Sequence, residues 1–362
     1  MGITEMEAVN TTKRMTISDI ARLAGVAPST VSEVVNNDPK SRVSRKTFEK
    51  VRKVIDKYNY VPSPQARALI TNKTRQIGYL VSANATLGLA NNYFSMILAG
   101  IERACAERDY RCLVNRYDLS SLEKFVMPSK LRQRSVDALI IAGYPGESPE
   151  MLKSLNIPIA VIGLTNDEQF FQLSRDTVKS YIGIFRYLAR EEHRKILLPY
   201  LGKVEHQELK KAIEICNASL ETPLTPMFVT EDSPEDEFKH GADLAELVLS
   251  DARYRDCTAL AANDQICRGF MCGMHRHGKR FPDDFSVVSN NDGPMCEWNT
   301  IPITACGTRT AEHGYIMGNL MVDLLEELKT PNQIKEELRR LFLPEPFIIR
   351  ESSGKAPKIN LK

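Results

Sequence analysis

A chain of 362 residues with 43% hydrophobic content is long enough for one small domain and one large one, each with its own core. It contains no apolar run that would span a bilayer and opens on no charged-then-apolar leader, so the reading is of a protein that stays in the cytoplasm with no membrane partner. Its eight cysteines stand at irregular intervals in apolar stretches, which argues for reduced, buried thiols rather than a disulfide framework.

The formal net charge of +2 hides an asymmetry. Residues 13–62 hold eleven Lys or Arg against five Asp or Glu, a balance of +6, which leaves −4 for the remainder. Positive charge concentrated on one short module is what neutralising a phosphate backbone requires.

Residues 1–14 are polar and read as a disordered tail. Residues 15–60 follow as three short helices. In the first, Ile17, Ile20, Ala21 and Ala24 line one face, with Thr16 or Ser18 placed to cap it. Gly25 permits a tight turn, and Pro28 suits the first turn of a second helix whose buried stripe is Val31, Val34 and Val35. A third helix over roughly 44–58 turns Phe48, Val51, Val54 and Ile55 inward and places Arg45, Lys46, Lys50, Arg52, Lys53 and Lys57 mostly outward. This is the pattern of a DNA-binding helix-turn-helix, with the outer face of the second helix free for base edges. A plain solvated helical bundle is the bland alternative, and the basic third helix weighs against it. Pro28, Ser29 and Glu33 are expected at base edges; Thr16, Thr30, Ser32 and Asn36 are expected at the backbone, where contacts position the protein without specifying sequence.

From residue 75 onward, short apolar runs at 77–81, 112–114, 138–141, 159–162, 195–198 and 285–288 alternate with helical patterns such as 94–108 and 178–189. That alternation predicts parallel sheet wrapped by helices, and it is too long for one sheet. Residues 356–362 read as a short polar tail. No phosphate-binding glycine loop, no Gly-x-Ser-x-Gly elbow and no His-Glu-x-x-His helix appears, so neither an enzyme nor a cofactor is expected. Cys267, Cys272, His275 and His277 lie close together, but the two cysteines fall on the packing side of a helix and no metal site is expected.

From Met15 to about Ser353 the chain resembles the lactose-repressor and galactose-repressor family of bacterial transcription regulators, most closely over ARLAGVAPSTVSEVVNN and over YVPSPQARAL at 60–69. The resemblance implies a small all-α helix-turn-helix DNA-binding domain (15–60) joined by a hinge (61–74) to a two-lobed α/β periplasmic-binding-protein-like domain (75–355), the chain crossing between lobes near 173–176, 306–308 and 338–341. It implies a homodimer on a palindromic double-stranded operator, a small-molecule effector in the cleft, and repression as the usual outcome. In the hinge, Ala66, Arg67 and Leu69 would enter the minor groove with Leu69 as a wedge; otherwise the segment is a linker with Leu69 packed on its own domain. In the cleft, Phe94 either stacks on the effector or belongs to the core. Asp176, Asn263 and Asn291 are the other effector-binding candidates, with Asp264 an alternative helix cap.

Departures from the family pattern bear on what is sensed. Residues 204–209 lack an expected arginine, Asn291-Asp292 stands where an aspartate pair is usual, and Glu192 replaces a glycine. Glu33 stands where arginine is common, and Ala27 where a capping serine is common. The cleft thus takes an unusual effector or none. A soluble small-molecule-binding protein with an incidental basic module is the competing functional class.

Overall fold

The structure, a computed structural model, describes residues 15–36, 43–61, 68, 73–82, 88–117, 131, 135–143, 150–163, 167–199, 203–229, 236–307, 310–341, 343 and 345–358. The chain divides into two compact units, Met1–Thr74 and Arg75–Lys362.

In the first unit, α1 (Ile17–Ala24), α2 (Pro28–Asn36) and α3 (Arg45–Lys57) enclose a core of Ile20, Ala21, Ala24, Val31, Val34, Val51 and Ile55. Thr16 caps α1 through a reciprocal box with Asp19. Gly25 ends α1 at φ 62°, a left-handed conformation that costs an L side chain about 1 kcal/mol or more. Its N–H returns to the carbonyls of Ala21 and Arg22, and Val26 donates to Ala21, so these bonds tie the turn back onto the end of α1. Ser44 caps α3.

The second unit holds two sheets. The first lobe has β1 (Gln76–Ser82), β2 (Arg111–Tyr117), β3 (Ala138–Ala142), β4 (Ile159–Ile162) and β5 (Phe171–Leu173), all parallel in the order β2-β1-β3-β4-β5. The second has β6 (Lys195–Pro199), β7 (Thr225–Val229), β8 (Ala259–Ala262), β9 (Ser286–Ser289), β10 (Thr304–Cys306) and β11 (Phe347–Ile348) in the order β11-β10-β9-β8-β6-β7, with β11 alone antiparallel. Helices α4 (Asn92–Glu107) and α5 (Glu150–Lys153) belong to the first lobe. Helices α6 (Thr177–Arg190), α7 (Lys203–Asn217), α8 (Glu237–Ser250), α9 (Asp264–Arg276) and α10 (Pro294–Glu297) belong to the second. Two later helices, α11 (Thr310–Leu325) and α12 (Pro331–Arg340), return to the first lobe, where α11 packs on α4 and α12 on β5.

The chain therefore crosses between lobes three times, at 174–176, 307–309 and 341–346. The third crossing begins at 341, where the expected one at 338–341 would end, because residues 338–340 still belong to α12. Residues beyond β11 do not leave the fold. Ser352 bonds to Val287 and Pro302, and the Ala356 N–H donates to the Glu191 carbonyl, so the second lobe holds the chain to at least Ala356.

Glu192 sits just past α6 at φ 68°, in the left-handed region that its missing glycine would suit. Its pair with Lys355 at 3.3 Å is largely exposed and contributes little. Glu192→Gly is expected to stabilise the protein by about 0.5–1 kcal/mol, read as a higher melting temperature. A lower one would mean that the pair, not the backbone, dominates there.

Among the described residues no helix is long and apolar enough to cross a membrane, and no group of three or more His, Cys, Asp or Glu is placed to hold a metal. His277 Nε2 lies 2.7 Å from Glu246 Oε1 and Cys267 is fully buried.

Candidate DNA-reading helix and ligand cleft

The reading helix begins with exposed Pro28 and Ser29, while Thr30, Ser32 and Glu33 are half-buried along α2. Ala27 supplies only its carbonyl to the first turn, accepting from Thr30 and Val31, because its methyl side chain has no capping oxygen. The N-terminal N–H groups of α2 therefore lack a side-chain acceptor from the cap position, the state in which a helix start favours a phosphate oxygen. Asn36 closes the helix. Thr16, expected both at the cap and at the DNA backbone, is the cap of α1. Its hydroxyl donates to Asp19 at 2.7 Å and its N–H to the same oxygen at 3.1 Å, so both donors serve the cap. The pair also holds the Asp19 carboxyl below its ordinary range, the Thr16 hydrogen bonds leading. Ala66, Arg67 and Leu69 lie outside the described residues.

In the second unit, side chains from the carboxyl ends of the strands converge, as doubly wound sheets require. Asn263, after β8, caps α9 by accepting from the Ile266 N–H at 3.0 Å. Asp264 is therefore not the cap. It is buried in the first turn, and burial raises its pKa, opposed by hydrogen bonds that include the Asn291 side chain. The Asn263 amide also donates to Glu237 Oε1 at 3.1 Å, while Asn91 of the first lobe donates to Glu237 Oε2 at 3.0 Å. One carboxylate thus joins the two lobes. Gly293 lies where they touch, since a Cβ there would stand 2.7 Å from both Asn92 Nδ2 and Asp264 Oδ2.

Asn291, after β9, accepts from Arg175 Nη1 at 2.8 Å. Asp292 is engaged by Arg350 through two bonds of 2.7 and 3.1 Å, so it holds the carboxyl-terminal segment rather than facing open space. Asp176 is exposed and caps α6 through Lys179 N–H at 2.9 Å. Nearby Glu208 has a raised pKa, mainly from desolvation, opposed by a Thr177 hydrogen bond and by Arg175.

Of the two roles expected of Phe94, burial favours the core over an effector stack. It is 8% exposed and belongs to the first-lobe core, its ring edge-on to Tyr93 with centroids 5.2 Å apart. A large apolar side chain on the inner face of α4 gains more from that burial than from a rim position. Trp298, by contrast, is 77% exposed. Arg175, Glu237, Glu208 and Asn91 were not singled out by sequence, and only Asn91, an Asn before a helical run, carried a local signal. A cavity of about 460 Å³ between the β5 edge and α12 is lined by other residues, among them Ser174 beside Arg175.

A basic helix-turn-helix unit, followed by a two-lobed α/β unit whose polar side chains converge at strand ends, defines a DNA-binding transcription regulator with a receptor domain. Two family descriptions match: bacterial regulatory proteins of the lacI family over residues 16–63, and the periplasmic-binding-protein-like domain over residues 185–353. The lacI-family match thus falls on the helix-turn-helix unit, and the periplasmic-binding-protein-like match falls within the two-lobed unit.

It is 28% identical over 349 residues to the ribose operon repressor of Haemophilus influenzae, covering 93% of this chain and 98% of that one. It is 28% identical over 352 residues to the transcriptional repressor PurR of Vibrio parahaemolyticus, covering 94% and 98%. Among solved structures, a lac repressor dimer bound to operator and an anti-inducer shares its fold with TM-score 0.74 and 22% identity, over 94% of this chain and 99% of that one.

Proposed function

We propose that this protein is a repressor that binds a palindromic operator as a homodimer and whose affinity a small-molecule effector adjusts. The observation that carries the reading is the α1–Gly25–α2 geometry, with Pro28 and Ser29 exposed at the start of α2. The relatives that are repressors and the lac repressor dimer on its operator support it. In this reading Pro28, Ser29 and Glu33 meet base edges, and Thr30, Ser32 and Asn36 meet phosphates. Ala66, Arg67 and Leu69 enter the minor groove. The protein works in the cytoplasm on DNA and catalyses nothing.

Selection of bound DNA from a random pool tests this. A twofold-symmetric site with a deformable centre is expected; no enrichment at moderate salt would count against operator binding. Glu33 refines the test. A carboxylate only accepts, most naturally from cytosine N4, whereas arginine donates two bonds to guanine. The half-site is therefore expected to carry cytosine opposite residue 33, and Glu33→Arg to shift that position to guanine by roughly 1–3 kcal/mol of preference. The same preferred site from both proteins would remove Glu33 from base readout.

Asn91, Asn263, Glu237, Asn291 and Asp176 form the proposed effector cleft. Because an effector can shift only an equilibrium between states it binds differently, the Asn91–Glu237 bond between lobes is the contact its binding would remake. The Asn91–Glu237–Asn263 bridge also favours a second reading, a regulator whose cleft groups satisfy one another and bind no effector.

A further inference from the structure

Arg175 lies in the first crossing between lobes, and the other two crossings pass close to it. Its charge acts on Cys306 and His313, which flank the second crossing, and Glu345 of the third lies 3.8 Å from its Nε. The side chain is only 15% exposed. Nη1 donates to Asn291 Oδ1 at 2.8 Å, while Nε and Nη2 are buried and have no hydrogen-bond partner among the described residues.

Those two atoms form one edge of the guanidinium. Their N–H bonds are nearly parallel, the fork that matches the two oxygens of a carboxylate or phosphate. Glu345 does not fill it, because 3.8 Å is too long for a hydrogen bond and its Oε2 accepts from the Ser180 hydroxyl. Arg350 offers no comparable edge, since it is held bidentate by Asp292. Buried donors left unpaired are costly, so a native site that keeps two on one edge needs an acceptor that arrives from outside.

We infer that the Nε and Nη2 edge of Arg175 is the effector's anchor, and that the effector therefore carries a carboxylate or phosphate group. The inference rests on the effector-regulated reading above. Opening of the lobes would admit the anion to the floor of the cleft, and closure would hold it against the three crossings. Glu345 balances the buried charge until the anion takes its place, while Asn291 keeps the guanidinium plane in orientation.

The test is isothermal titration calorimetry on the full chain, with emission from its single tryptophan, Trp298, followed in parallel. The probes are a panel of neutral monosaccharides, the corresponding uronates, the corresponding sugar phosphates, and inorganic phosphate alone. Binding by members of one anionic set, with the neutral sugars at least about 100-fold weaker, is the expected result; which set binds distinguishes carboxylate from phosphate. Arg175→Gln should lose that affinity by a similar factor without lowering the melting temperature of the unliganded protein. If Arg175→Gln fails to fold, Arg175→Lys keeps the charge without the planar fork, and should fold and still lose most of the affinity. Glu345→Gln should bind the anion at least as tightly as the unaltered protein.

Neutral sugars binding as tightly as anionic ones, or Arg175→Lys binding the anion unchanged, would overturn the anchor while leaving effector regulation standing. Silence from every probe, charged and neutral, would overturn the effector reading itself and the anchor with it.

Discussion

Replacing Gly100 with alanine is expected to destabilise the α/β unit by roughly 3 kcal/mol, while replacing Gly183 with alanine should stabilise it by about 1 kcal/mol. Both glycines lie inside helices, and helix propensity alone would favour alanine at each. Space decides the sign. At Gly183 in α6 no heavy atom comes within 4 Å of an added Cβ. At Gly100 in α4 the Cβ would meet the Ala311 carbonyl oxygen at 1.9 Å and the Tyr315 nitrogen at 2.6 Å. Those are backbone atoms of α11, which no rotamer change moves aside, so the two helices must part. Gly314 repeats the contact from the other side, its Cβ position lying 2.1 Å from the Ile97 carbonyl oxygen. Thermal melting of the two variants checks this; a unit of this size shifts by roughly 2–4 °C per kcal/mol. A Gly100→Ala protein as stable as the parent would mean that the seam tolerates separation. The functional weight is that α4 begins beside Asn91 while α11 begins just after a crossing, so this contact ties a cleft side chain to the hinge.

The reading unit was legible because its signals are local. A helical apolar period, Gly25 where the chain turns left-handed and Pro28 in a first turn all lie within a dozen residues, and each has one physical solution. Glu192 was legible for the same reason, as a residue standing where a helix end takes a positive φ. The cleft was not, because its pairs are set by tertiary approach. Arg175 meets Asn291 across 116 positions and Asn91 meets Glu237 across 146. Phe94 shows the limit from the other side, since an aromatic residue after a strand satisfies the pattern for a ligand stack and for a core equally, and only burial separates them. The lobe crossings are invisible to periodicity because strand and helix alternate in the same way on both sides. The cap of α9 shows how fine such a local reading must be, since Asn263 and Asp264 are adjacent capping types and only the Ile266 N–H decides between them.

Acid should destabilise the α/β unit through His313. His313 is 4% exposed on α11, and its pKa is lowered from 6.5 to about 4, chiefly by burial, with Arg175 opposing protonation and Glu312 favouring it. The unfolded chain therefore takes up this proton first. Stability from the neutral ring is complete above pH 6.5 and is lost as pH falls toward 4, a total of about 3 kcal/mol. His193 acts with the same sign in the second lobe, its pKa lowered by burial while its ring bonds to Thr258 at 2.8 Å and to the Gly354 carbonyl at 3.0 Å. Urea unfolding between pH 7 and pH 4 is expected to show the loss, and His313→Gln to remove most of the slope but leave the part due to His193. An unchanged slope in His313→Gln would assign the acid sensitivity elsewhere. Because a protonated His313 would face the Arg175 guanidinium, acid should also loosen the second crossing, placing charge repulsion at the hinge on which the lobes turn.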